Sequence, residues 1–167
     1  MVEEFSENYA YFVKIHITWI RQIKMRQKAQ TLGIEEINIP DKEIVKKLKA
    51  IGEISENFTD KNLLIEFSKN KNKDIRYYAV LNLAKLSDDS LLSYYSSLIN
   101  EESTSRIRRE IASAIGRLRS KSAIKIMLNL LSDRDPNIVL QSIRGLLVFK
   151  GEKKINEKLI NLKTHKN

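Results

Sequence analysis

The sequence predicts an all-α superhelix, a solenoid of stacked helical hairpins headed by a long N-terminal amphipathic capping helix. Three observations carry that expectation. An apolar pattern at helical spacing recurs at offsets of 32 and then 31 residues, and each recurrence follows a second apolar helix at constant distance. With Gly 5 and Pro 2 in 167 residues, the chain is also poor in the turn-formers that an all-β fold needs.

The first element is an N-terminal helix from Phe5 to about Lys28. At 100° per residue, Phe5, Tyr9, Phe12, Val13, His16, Trp19, Ile20 and Ile23 share one broad face. Its expected role is to cap the first repeat, and docking into a partner is the alternative. A connector containing Gly33 and Pro40 closes this N-terminal part at residue 40. Residues 41–167 form the repeat part, which opens with a degenerate repeat at 41–58. There Leu48, Ile51, Gly52 and Ile54 occupy the columns of the later copies.

The clear copies are "DIRYYAVLNLAKL" (74–86), "RIRREIASAIGRL" (106–118) and "NIVLQSIRGLLVF" (137–149). Ile75, Ile107 and Ile138 coincide, as do Val80, Ala112 and Ile143, then Leu83, Ile115 and Leu146, then Leu86, Leu118 and Phe149. Small residues at Ala79, Ala84, Ala112 and Gly116 mark close helix approach. Ahead of each copy, Phe67, Ile99 and Leu130 precede the matched isoleucine by eight residues, defining repeats 60–86, 88–119 and 121–150. Asp135 and Pro136 are placed as cap and first residue of the last second helix; Thr59 or Asp60, Ser87 or Asp88, and Ser120 are candidate caps of the leading helices. A closing helix at 152–162 carries a stripe of Ile155, Leu159 and Leu162 and is expected to cap the last repeat.

Charge and composition narrow the function. The net charge is +9, and residues 91–167 hold fifteen basic and seven acidic side chains. The absence of cysteine excludes disulfides and thiolate chemistry. The opening "MVEEF" is acidic where a targeting peptide is basic, and the longest apolar run is too short to span a bilayer. The expectation is a soluble cytoplasmic protein without membrane insertion.

The second-helix patterns "IRxxAxxxLAxL" (75–86) and "IRxxIAxAIGxL" (107–118) resemble those of the HEAT-repeat superfamily, including its short phycobilin-lyase-type repeats. The resemblance covers roughly residues 41–150. It implies a hydrogen-bond ladder between repeats, in which Arg76 and Arg108 hold the basic position and Asp135 the acidic one. An Arg108 to Asp135 contact between adjacent repeats is the expected rung.

The resemblance also implies that second helices line the concave side. The rows there read Tyr77, Arg109, Leu140; Leu81, Ser113, Arg144; and Lys85, Arg117, Val148, flanked by Tyr78, Glu110 and Gln141. Arginine and tyrosine among aliphatics are the composition of protein-binding hot spots. The expected function is a non-catalytic adaptor or scaffold that binds another protein through Tyr77, Leu81, Arg109, Arg117, Leu140 and Arg144, alone or as a subunit of a larger complex. The alternative is a phosphate-backbone grip on nucleic acid by Arg106, Arg109, Arg117, Arg119, Lys121 and Lys125.

No catalytic or cofactor motif stands out. His16 and His165 have no carboxylate or second histidine at metal-ligand spacing, so no metal or cofactor is expected. Enzymes of similar architecture offer a third reading, phycobilin-lyase-like or DNA-glycosylase-like. The glycosylases use tryptophans around a basic channel, whereas Trp19 is the only tryptophan here and lies outside the repeats.

Overall fold

The computed structural model describes residues 40–54 and 61–163. The expected N-terminal helix, the caps Thr59 and Asp60, and the tail from residue 164 lie outside the described residues, as do the side chains of Ile51, Gly52 and Ile54. The described residues are helical, with no strand among them. In chain order they form α1 (Asp41–Ile54), α2 (Lys61–Phe67), α3 (Lys73–Lys85), α4 (Leu92–Glu101), α5 (Ser105–Arg117), α6 (Ala123–Leu130), α7 (Pro136–Leu146) and α8 (Lys153–Lys163). Short 3-10 turns at Asp89–Leu91 and Leu147–Phe149 precede α4 and follow α7.

Local chemistry sets these boundaries. Asn72 and Asp135 cap α3 and α7 by accepting from the backbone N–H two residues on, at 2.8 and 2.9 Å, and Pro136 opens α7 as its spacing predicts. Of the pair Ser87 and Asp88, it is Asp88 that caps, accepting from Ser90 N–H at 2.9 Å. Ser87 instead takes φ 47° just past α3, and Arg119 takes φ 51° at the matching place past α5. Both fill the left-handed C-terminal position that glycine usually occupies. Ser120 supplies only its backbone carbonyl, to Ala123 N–H at 3.0 Å; the residue at the cap of α6 is Ser122, without a side-chain bond.

α2 with α3, α4 with α5 and α6 with α7 form three hairpins, and the second helices α1, α3, α5 and α7 pack on one another in series. This is an α-α superhelical arrangement, and α1 enters it as the second helix of the degenerate repeat. The predicted core columns lie inside: Ile75, Ile107 and Ile138 are buried, as are Leu83, Ile115 and Leu146, and Phe67, Ile99 and Leu130 of the leading helices. Burying each such side chain contributes roughly 1.5–3 kcal/mol. The column of Leu86, Leu118 and Phe149 is only half-buried, because it falls at helix ends.

Two polar residues enter the apolar columns. Asn82 is buried and donates from Nδ2 to the Leu48 carbonyl of α1 at 2.8 Å, tying α3 to its neighbour. Ser142 of α7 is also buried, and its Oγ has no hydrogen-bond partner among the described residues. An unsatisfied hydroxyl costs about 1–3 kcal/mol. Ser142→Ala is therefore expected to stabilise the fold by about 1 kcal/mol, read as a higher midpoint in urea unfolding with unchanged slope.

Candidate protein-binding face

Two arginine rungs fix the spacing of the second helices. Arg76 of α3 forks onto Glu102 of the next repeat, with Nε at 2.8 Å and Nη2 at 3.1 Å from its carboxylate oxygens. Its Nη1 also donates to the carbonyls of Asn70 and Lys71 at 3.0 and 2.9 Å. Arg108 of α5 repeats the device: Nη1 and Nη2 lie 3.3 and 2.5 Å from Asp133, and Nε donates to the Ile99 carbonyl at 3.1 Å. Each arginine thus closes exposed carbonyls of its own hairpin and reaches the acid of the following one.

The expected Arg108 to Asp135 rung is corrected to Arg108 with Asp133. Asp135 is occupied elsewhere, capping α7 and accepting from Ser105 Oγ. Asn70, Glu102 and Asp133 share one column, offset by 32 and 31 residues, and each accepts from the backbone N–H two residues on, at 2.8, 2.8 and 2.9 Å. That common offset is the sequence signal for the rung acids. Burial pushes the Glu102 carboxyl up, but the Arg76 fork and the Thr104 N–H outweigh it and leave its pKa below the usual value. Asp133 is lowered in the same way, against burial, by Arg108 and the Asp135 N–H.

The tyrosines are engaged between repeats. The Arg106 guanidinium of α5 lies 3.8 Å from the Tyr77 ring centroid, Tyr77 meets Tyr78 edge to face at 5.1 Å, and Lys49 Nζ of α1 lies 5.0 Å from the Tyr78 ring. This file of cation and aromatic contacts crosses three successive second helices. Its contact with the Tyr77 side chain raises the Arg106 pKa. Arg109 is half-buried and pairs with Glu110 at 3.2 Å.

Of the expected protein-binding residues, Tyr77, Leu81 and Arg109 are half-buried, while Arg117, Leu140 and Arg144 are exposed. The basic residues of the alternative are spread along the chain path. Arg106 and Arg109 sit in the first turns of α5 and Arg117 at its end, about 16 Å further along the axis. Arg119 and Lys121 lie in the following turn and Lys125 on the leading helix α6. Exposed apolar side chains gather in the last repeat: Leu140 at 42%, Leu147 at 50% and Val148 at 52%, with Ile160 of α8 at 60%. Beside them a groove of about 750 Å³ is walled by Leu131, Pro136, Val139, Leu140 and Ile143 on one side and Leu162 on the other.

Among the described residues no helix is long and apolar enough to cross a membrane. Among curated proteins none matches the chain. A family model described as HEAT repeats matches residues 61–155, the span of the three hairpins through the start of α8, and the chain belongs to that family.

Proposed function

We propose that the chain is a non-catalytic adaptor that binds another protein along the open face of its second helices, through Tyr77, Leu81, Arg109, Arg117, Leu140 and Arg144. HEAT repeats generally mediate protein interaction or scaffolding, and the family is typically non-catalytic. The observation that carries this reading is the composition of the exposed surface: Leu140, Leu147 and Val148 are exposed, as are Arg117 and Arg144 on the same set of second helices. Such apolar side chains set among arginines suit a desolvated protein contact. A groove that tracks phosphates needs an unbroken line of cations, whereas Arg106, Arg109, Arg117, Arg119, Lys121 and Lys125 are spread over α5, the turn after it and α6.

A photo-crosslinking residue at Ser113, in the middle of this face, is expected to yield a discrete adduct with a protein from the native extract. The same residue at Asn100, exposed on α4, is expected to yield none. Charge reversal at Arg117 and Arg144 should abolish the adduct while leaving the melting temperature unchanged. Adducts with RNA or DNA, together with binding of labelled duplex that persists at physiological salt, would replace this reading with the nucleic-acid one.

A further inference from the structure

The groove in the last repeat is the place a further second helix would occupy. In α5 the side that faces the next repeat is marked by Arg108, Ala112 and Gly116, spaced four residues apart on one helix face. Arg108 reaches Asp133, Ala112 is buried, and a Cβ on Gly116 would lie 3.1 Å from Gly145 Cα of α7. The corresponding positions, 31 residues on, are Val139 and Ile143 of α7 and Leu147 of the turn that follows it. Val139 and Ile143 line the groove, and Leu147 is 50% exposed.

α8 does not fill this place. Its Ile155 is buried, but Leu159 and Leu162 are only half-buried, and Leu162 forms the far wall. The groove of about 750 Å³ is close to the volume of two helical turns, about 850 Å³ for a cylinder 10 Å wide. Charge selects among possible occupants. Arg134 lines the groove, and Arg144, Lys150, Lys153, Lys154 and Lys158 are exposed in the same segment. Asp133 is neutralised by Arg108, and Asp135, Glu152 and Glu157 offset only part of this charge, so the segment stays basic for an incoming ligand. A second copy of the chain would bring the same basic surface and be repelled.

We infer that this groove accepts one amphipathic helix of an acidic protein partner, its apolar stripe against Val139, Leu140, Ile143 and Leu162 and its carboxylates toward the flanking lysines and arginines. The inference rests on the adaptor reading and names the class of partner.

The test uses the full chain and a fluorescein-labelled synthetic peptide of about 18 residues, with leucines at helical spacing on one face and glutamates elsewhere, at physiological salt. The striped peptide is expected to bind at least about tenfold more tightly than a scrambled peptide of the same composition. Leu162→Asp and Leu140→Asp are each expected to weaken it by about tenfold, with unchanged circular dichroism melting; Leu140, exposed and in the groove wall, serves where the α8 variant disturbs folding. Equal binding of both peptides, no binding of either, indifference to both substitutions, or competition by phosphatidylserine vesicles would overturn the inference. Cross-linking at Ser113 without peptide binding would overturn this groove assignment and leave the adaptor face standing; peptide binding without cross-linking at Ser113 would do the reverse.

Discussion

Arg76→Met is expected to destabilise the protein by about 3 kcal/mol, because it strands a buried carboxylate. The Glu102 side chain is only 3% exposed and that of Arg76 18%, so solvent cannot replace the fork. The substitution also leaves the carbonyls of Asn70 and Lys71 without their donor. Double replacement, Arg76→Met with Glu102→Leu, should recover part of the loss, since it removes the unpaired charge and leaves only the Asn70 and Lys71 carbonyls and the Thr104 N–H without these partners.

The pH dependence separates this mechanism from simple loss of packing. In the native protein the pKa of Glu102 is below the ordinary 4.5, so its contribution is complete above about 4.5 and is lost as pH falls through the folded-state value. Without Arg76 burial still pushes the carboxyl up while the guanidinium's lowering is lost, so it titrates at higher pH than in the native protein and the variant gains stability relative to it as pH falls. Thermal melts from pH 7 down to 4 should show the variant's deficit shrinking on acidification. A deficit constant across that range would assign the loss to packing instead.

Gly145→Ala is expected to cost about 2 kcal/mol, although alanine is the better helix former by about 1 kcal/mol. A Cβ at 145 would lie 2.4 Å from Met127 Sδ and 2.9 Å from Gly116 Cα. The methionine can swing aside, but the α5 backbone cannot, so in a Met127→Ala background, itself destabilised by the cavity it opens, Gly145→Ala should still carry part of its cost. Gly151→Ala is the matched control: its added Cβ meets nothing within 4 Å, and its effect should stay within about 0.5 kcal/mol. Chemical unfolding of the three variants checks this.

The repeat architecture was legible because burial obeys periodicity. Ile75, Ile107 and Ile138 must all face inward if one helix pair is to stack on the next, and their offsets display it. What periodicity misses is polarity placed inside an apolar column. Asn82 breaks the pattern of α3 yet is buried, since its partner is a backbone carbonyl of another helix that no side-chain pattern marks. The rung was misplaced by two residues for a related reason. Asp135 stands at the cap, where a single hairpin suggests the acid belongs, but the rung is set by reach between hairpins, and the arginine arrives at Asp133. Reading rows along each helix likewise placed Tyr77 among exposed residues, while Arg106 of the following helix already covers its ring. The exposed end of the last repeat was partly visible in Leu140 and Val148, whereas Leu147 lies outside the concave rows and just past the end of α7, where helical periodicity marks no face.

The two rungs also give the array a direction in which to come apart. Arg76 latches the first hairpin to the second and Arg108 latches the second to the third, but Val139 stands where a third latch would be. In a quasi-one-dimensional stack, where each unit is held by its neighbours, opening starts where the coupling is weakest. Among the described helices, transient opening at α8 is therefore expected to run toward α7 and to halt at the Arg108 latch. A helix seated against Val139 would act as the missing clasp, so binding at that end would be felt as slower opening of the whole third hairpin.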